Sequence, residues 1–445
     1  RVCFFYYGDK AVLLFKALLI GYLFGIRSER QLVREIQVNV AYRWFLRFNL
    51  TDKIPDASTL SQNRRRRFQD SRIYQEIFDE IVLQAMGYDL VGGEVLYTDS
   101  THLKANANKN KYDLKQAEEK VAAYLDSLED AIEGDRKAQG KKPLKSKLSE
   151  QPPKTKDTKI SRTDPDSGYM VREGKPKGFF YLDHRTVDGR NAIITDSYAT
   201  PANLHDSRPY LDRLDRQCER FGFDVWGVGL DAGYYTAGIC KGLEDRGLYG
   251  VMGYRRPNKP KGYLPKRAFT YDPETNSYRC PQGQQLIYAT TNRLGYREYK
   301  SNPTNCKDCP LLSQCTRSAN HVKVLTRHVW QDSKDRTDSY RLTPWGKALY
   351  KRRQETVERS FADAKQLHGH RYARLRGLSK VREQCLLAAA AQNMKKIAQI
   401  LARLLWLKSF GMPDLQGQIR KWARKMACLA YWQSDREYWA QSIAN

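Results

Sequence analysis

Apolar residues recur every three or four positions through Val12, Phe15, Leu18, Leu19, Tyr22 and Leu23, the spacing of one face of a helix. That periodicity predicts a helical region from residue 11 to about 88, with shorter helices at Gln31–Ile36 and Tyr42–Leu46. Pro55-Asp56-Ala57-Ser58-Thr59-Leu60 reads as a turn and N-cap that opens another helix, the one carrying Arg64, Arg65, Arg66 and Arg67. After Gly92-Gly93 the pattern changes to the β-branched and apolar run Val95-Leu96-Tyr97-Thr98, a strand. From Lys109 to about Lys177 the chain is charged and polar, with one amphipathic helix expected around 116–132 and a Lys/Pro/Ser-rich stretch over 140–156 that buries too little to fold alone. Two strands follow, Phe179–Leu182 and Asn191–Thr195, with Asp188-Gly189 as their turn. A helix over 207–221, an apolar strand over 223–230, a helix over 236–246 and a strand over 248–254 then form a βαβ crossover, which implies parallel neighbours.

Two of these strands end on an aspartate, a residue that strand interiors tolerate poorly. The first continues as Asp99-Ser100-Thr101 and the second as Asp231-Ala232-Gly233-Tyr234. A lone aspartate at such a place caps a turn more often than it does chemistry. The repetition, and a third carboxylate downstream, change that reading. Thr343-Pro344 starts a helix whose stripe is Val357, Phe361 and Ala364; Glu358 flanks the stripe, Lys365 lies on the same side, and Glu355 competes for the role. Three carboxylates far apart in sequence can converge on a divalent metal, the constellation of a DNA-processing nuclease or strand-transfer enzyme.

Between the last strand and this helix lies an insertion over residues 257–330 with Cys280, Cys306, Cys309 and Cys315. The Cys-x-x-Cys pair suits a tetrahedral Zn²⁺, with the other two thiolates completing a four-sulfur structural site; four unliganded thiols are the alternative. A redox role fits less well, because the pair does not open a helix after a strand. Cys3, Cys218, Cys240, Cys385 and Cys428 read as buried small apolar residues.

Charge supplies the partner. The chain of 445 residues has 77 Lys and Arg against 50 Asp and Glu, a net charge of +27. Such an excess points to a polyanion, since counterion release drives binding to phosphates. Membrane surfaces are the competing polyanion, but the most apolar run, Ala11–Ile26, is broken by Lys16 and falls short of the roughly 20 residues of a spanning helix. No membrane partner and no cleavable leader are expected, and odd, clustered cysteines suit a reducing compartment.

With the two aspartate strands and the Glu358 helix taken together, the chain resembles the DDE transposases of bacterial insertion sequences, and looks closest to insertion-sequence family eleven-eighty-two. Leu18-Leu19-Ile20-Gly21-Tyr22-Leu23-Phe24-Gly25 and Pro55–Leu60 are similar to that group's helical N-terminal part, and Glu358 with Lys365 to its Glu-x₆-Lys. Related transposases often carry Tyr-x₂-Arg-x₃-Glu, whereas here Tyr350 and Arg353 sit one residue too far from Glu358, with Gln354 in the arginine position.

The resemblance implies an RNase H-like mixed-sheet α/β core. It implies metal-dependent cleavage at element ends and strand transfer, with Asp99, Asp231 and Glu358 holding two Mg²⁺ (or Mn²⁺) ions. It also implies double-stranded DNA partners, the terminal inverted repeats and the target, a homodimer on DNA, and a cytoplasmic, nucleoid-associated bacterial location. Lys104, Lys365 and Arg353 would hold phosphates, with Arg352 a substitute for the last, and Arg64 to Arg67 would join them. His205-Asp206 could support the metal site, although a structural turn after Pro201 is preferred. Trp226 and Trp330 could stack on bases, although core packing is preferred for Trp226. The alternatives are an RNase H-like nuclease without strand transfer and an inactive, transposase-derived DNA-binding protein. The domain map is a helical DNA-binding domain (1–88), the first part of the core (92–256) with a flexible basic loop (109–177), the cysteine insertion (257–330), the Glu-bearing and C-terminal helices (340–408) and a basic tail (409–445).

Overall fold

The computed structural model describes residues 8–68, 71–118, 125–146, 155–171, 177–254 and 262–409. Cys3, Cys428 and the tail beyond 409 lie outside the described residues, as does the Arg67 side chain. Contacts divide the chain into a unit ending at Gln392 and a second beginning at Asn393, of which residues 393–409 are described and helical.

Five helices come first: α1 (Gly8–Leu23), α2 (Glu29–Val38), α3 (Val40–Leu46), α4 (Ala57–Arg67) and α5 (Ile73–Gly87). Short polar residues set the boundaries. Ser28 accepts the Gln31 N–H at the start of α2, and Asn39 accepts from Ala41 and Tyr42 at the start of α3, satisfying donors that a helix N-terminus leaves open. Phe15 packs edge-on against Phe68 and Tyr74, with centroids at 5.0 and 5.6 Å, joining three helical segments through one ring.

The central sheet is built on β1 (Val95–Lys104), which lies between β5 (Gly178–Asp188), antiparallel, and β7 (Gly227–Leu230), parallel. Beyond β7 comes β8 (Tyr249–Met252), parallel again and reached through α8 (Ala237–Asp245), the expected crossover. The far edge of β5 carries β4 (Gly168–Met170) and β6 (Ile194–Pro201), both antiparallel. One face of the parallel strands is covered by α8 and α7 (Tyr210–Phe221), with Leu96, Val228, Leu230, Leu214, Ile239, Leu243 and Met252 buried between them. Each such side chain contributes roughly 1.5–3 kcal/mol on burial. β7 alternates Gly-Val-Gly-Leu for a reason. Its valine and leucine fill that core, while Gly229 faces the other side, where a Cβ would meet Tyr97 at 2.6 Å and Leu349 at 3.1 Å. Glycine there lets the helix bearing Leu349 lie against the sheet.

The stretch expected to be a flexible loop over 109–177 contains ordered elements. Strands β2 (Tyr112–Glu118) and β3 (Thr155–Ser161) pair antiparallel, and α6 runs over Leu125–Ala138 rather than 116–132. Composition missed this because the stabilising partners are remote: Leu128 and Ile132 of α6 pack on Trp330, and Lys159 stacks 4.1 Å over the Tyr112 ring.

The cysteine insertion is a five-stranded antiparallel sheet, β9 (Thr270–Asp272), β10 (Ser277–Arg279), β11 (Gln285–Thr291), β12 (Tyr296–Ser301) and β13 (Val324–His328), around Phe269, Tyr278, Leu286, Tyr299 and Leu325. Two four-residue helices, α9 (Pro303–Cys306) and α10 (Leu312–Cys315), sit between β12 and β13. Then follow α11 (Gln331–Leu342), α12 (Pro344–Arg352), a π-helical turn (Gln354–Glu358), α13 (Arg359–Leu367) and α14 (Leu378–Ser409). No helix among the described residues is long and apolar enough to cross a membrane.

Candidate active site

Register brings the two aspartates together. The last paired rung between β1 and β7 is Thr98 with Leu230, so Asp99 and Asp231 come next, where that ladder stops. β7 ends there, whereas β1 runs on to Lys104 along β5, so the strand end expected at Asp99 is a mid-strand position that only loses its β7 neighbour. Each carboxylate accepts the N–H of the residue after it: Asp99 Oδ1 from Ser100 at 2.7 Å within the strand, and Asp231 Oδ1 from Ala232 at 2.6 Å at the start of a 3₁₀ turn.

Glu358 is linked to this pair through an arginine. Arg353 Nη2 donates to Asp99 Oδ2 at 2.8 Å, while its Nη1 lies 3.6 Å from Glu358 Oε1 and 3.4 Å from the Tyr350 hydroxyl. Its side chain is 4 % exposed, against 20 % for Asp99 and 47 % for Glu358. Burial lifts the Asp99 carboxyl to about 6 despite the pull of Arg353 and the Ser100 N–H, with Asp231 and Asp206 adding to the lift. Arg353 contacts Glu358, the carboxylate preferred over Glu355.

The spacing that departs from Tyr-x₂-Arg-x₃-Glu has a structural explanation. The Glu358 N–H bonds to the Arg353 carbonyl, five residues back, at 3.1 Å, so the segment turns as a π-helix and absorbs one residue more than an α-helix would. Tyr350 and Arg353 therefore stay in contact with each other, and Arg353 with Asp99 and Glu358. Arg352 is used elsewhere, donating to the Gly189 carbonyl at 2.7 Å.

Asp99 and Asp231 line an open groove of about 650 Å³ together with Lys104, Lys109, Lys177, Lys365 and Asp206. Of the arginines on α4, Arg64 pairs with Glu29 and is half-buried, while Arg65 and Arg66 are exposed. Trp226 is 40 % exposed against the Trp345 ring rather than in the core, and Trp330 is the buried one.

The four cysteines of the insertion are free thiols lining one pocket of about 240 Å³. Cys280 opens a tight turn in which the Gly283 N–H returns to its carbonyl at 2.9 Å, and Gly283 holds φ +77. Burial raises the Cys315 thiol, Lys323 opposes, and the other three cysteines add to the rise, which places all four in one field. Among the described residues, the group of three metal-ligating atoms lying within 4.8 Å of one another is elsewhere: Asp183, His370 and Cys385. There, Asp183 Oδ2 already accepts Arg185 Nε at 2.8 Å and His370 Nε2 at 2.9 Å, so the buried cation of that cluster is Arg185. Arg185 also donates to Gln392 at 2.5 Å and reaches Ser360 at 3.3 Å, fastening the strand beside Asp99 to the helix that follows Glu358.

Two family models match. A Transposase DDE domain covers residues 279–398, and a Transposase domain (DUF772) covers residues 10–66. In these two parts the chain is similar to transposases. The matched parts hold Arg353, Glu358, Lys365 and the four insertion cysteines at one end and α1 to α4 at the other. Asp99 and Asp231 fall between them. No curated protein matches the chain.

The sequence singles out both aspartates, Glu358, Lys104 and Lys365 as candidates and leaves Lys109 and Lys177, which also line the groove, in an undifferentiated basic stretch. It also gives Asp206 as a turn residue. Nothing in a lone His-Asp dipeptide signals that its loop folds back to the strand ends.

Proposed function

We propose that the protein is a transposase that cuts DNA at the ends of an insertion element and joins the freed ends to target DNA, on an RNase H-like core. The observation that supports the reading is the side-by-side placement of Asp99 and Asp231, with Glu358 tied to Asp99 through Arg353. The donor set suits a hard cation: all three groups offer carboxylate oxygens, and the guanidinium already among them marks the place as one that takes positive charge. Two Mg²⁺ (or Mn²⁺) ions, when bound, would activate the attacking water and stabilise the leaving oxygen. Asp99, Asp231 and Glu358 would hold these ions through their carboxylate oxygens.

The rest of the work falls to basic side chains. Lys104 and Lys365 flank the carboxylates in the groove and would position the scissile strand; Arg353, released from Asp99, would take a phosphate oxygen. Arg64 to Arg67 would hold the duplex backbone on a homodimer. The four cysteines would hold a structural Zn²⁺ that braces the insertion.

The experiment is a nicking and joining assay on duplexes bearing the element ends. Wild type should nick only with Mg²⁺ or Mn²⁺ and join the cut end to a second duplex. Asp99→Asn and Asp231→Asn should still bind DNA and fail to nick. Nicking without joining would favour the plain nuclease; undiminished nicking by both variants would refute the site.

A further inference from the structure

The two segments that match transposase models meet in a second pocket, of about 570 Å³, and arginines line it. Arg27, Arg30 and Arg64 come from the N-terminal helical region, and Arg374 comes from the turn between α13 and α14. One carboxylate, Glu29, stands among them and is spent on Arg64. Arg64 lines the pocket at 14 % exposure, unlike the exposed Arg65 and Arg66 that follow it.

The other three arginines have no carboxylate partner among the described residues. The Arg30 guanidinium makes no hydrogen bond there, and Arg27 lies 5.2 Å over the Tyr372 ring. Arg374 lies 4.1 Å over the Tyr22 ring; its Nη2 reaches the Gly21 carbonyl at 3.4 Å, and its enclosed Nε has no acceptor. A guanidinium carries five N–H donors, so most of those around this pocket are unspent.

A cavity walled by one sign of charge concentrates the opposite ion. The donors narrow that ion to a phosphate, whose paired oxygens match guanidinium forks. Ser58 and Ser61 add hydroxyls to the wall, and the first turn of α4 adds N–H groups that the Asp56 side chain leaves uncapped.

Position narrows the source. Tyr372, 44 % exposed, lines the carboxylate groove while its ring carries Arg27 of the pocket. Lys104 of the groove lies 5.8 Å from the same ring, and its carbonyl accepts the Ala373 N–H at 2.8 Å, which sews this turn to the end of β1. One ring flanked by two cations thus stands between groove and pocket.

We infer that Arg27, Arg30, Arg64 and Arg374 form a pocket for one backbone phosphate of the DNA strand that enters the groove, so that the N-terminal helices and the carboxylates hold the same strand. The inference rests on the proposed reading of the groove, and its test separates the two.

Duplexes bearing the element end, each with a single uncharged methylphosphonate in the strand to be cut, probe the contact in the full chain. Wild type should lose about tenfold in affinity at one position, the worth of a hydrogen bond to a charged group. Arg30→Gln changes an exposed side chain without hydrogen bonds; it should bind the all-phosphate duplex about tenfold more weakly and lose nothing further at that position. Arg374→Gln should show the same coupling. Wild type that nicks as proposed, with losses that add at every position in both variants or no sensitive position at all, would overturn the inference alone. Coupling in a wild type that nicks no strand would overturn the reading of the groove and leave the phosphate pocket standing.

Discussion

Arg353 donates to Asp99 across 2.8 Å from a side chain that is 4 % exposed, so the strand aspartate already has a cation at its outer oxygen. A guanidinium and a dication cannot both take Asp99 Oδ2, and each repels the other at this range. Arg353→Ala should therefore bind Mn²⁺ about tenfold more tightly at pH 8 in titration calorimetry, about 1.4 kcal/mol. It should also bind DNA ends less tightly. Unchanged Mn²⁺ affinity would place the guanidinium outside the ion site.

Proton competition follows from the same carboxyl. Burial raises Asp99 to about 6, so cation binding that needs its ionised form should weaken by about tenfold for each pH unit below that value and level off above it. By linkage, protonated Asp99 favours the fold below about pH 4, the unfolded value, and that stability is lost as pH rises through about 6. A flat Mn²⁺ affinity between pH 5 and 7 would remove Asp99 from the site.

Asp183 behaves in the opposite sense. Burial alone would raise its carboxyl, but Arg185 and the bonded His370 outweigh it and hold the group below the usual carboxylate range. Its contribution to stability is present above about pH 4, where an unfolded aspartate is ionised, and is lost as pH falls further. Asp183→Asn leaves Arg185 buried against a neutral partner and should cost about 3–5 kcal/mol in urea unfolding at pH 7. A loss under 1 kcal/mol would mean that Gln392 and Ser360 alone satisfy Arg185.

The π turn can be closed by deletion. Gln354 is exposed, and removing it restores Tyr-x₂-Arg-x₃-Glu and an ordinary α-helical ladder. Stability should change by no more than about 1 kcal/mol, as for other surface changes. Deleting exposed Arg359 instead rotates the Phe361 and Ala364 stripe off the sheet and should unfold that helix, visible as lost helical circular dichroism. Equal damage from the two deletions would show that the wide turn has no slack.

Zinc analysis addresses the insertion. About one Zn²⁺ per chain should remain after dialysis and be absent from Cys306→Ser, which should also become protease-sensitive within 257–330. Metal-free wild type with an intact insertion would leave the thiols as packing residues.

The sequence disclosed what depends on local pattern. An aspartate closing an apolar run made Asp99 and Asp231 stand out as strand ends, which holds for Asp231 after β7 but not for Asp99, since β1 continues to Lys104 along β5; the Gly-Val-Gly-Leu run of β7 could be read as a strand before its neighbours were known. The crossover rule made β7 and β8 parallel neighbours, but the place of β1 between β5 and β7 was not legible. What escaped depends on distance. The ladder of β2 and β3 is held by Tyr112, Tyr169 and Lys159 rather than by an apolar face, so composition read it as loop. Helix α11 carries scarcely any apolar stripe and is fixed by its packing beside α8 and β8. The π turn was visible only as a spacing fault, because one surplus residue looks the same in sequence whether a helix absorbs it or not.

Gly229 has a consequence well beyond its strand. The helix it admits, α12, touches the sheet through Leu349 and runs one turn further to Arg353, whose fingertips rest on Asp99 and Glu358. That contact is a fulcrum: a single methyl inserted there would tilt the lever, and the guanidinium at its tip would swing away from both carboxylates without any residue of the groove having been altered.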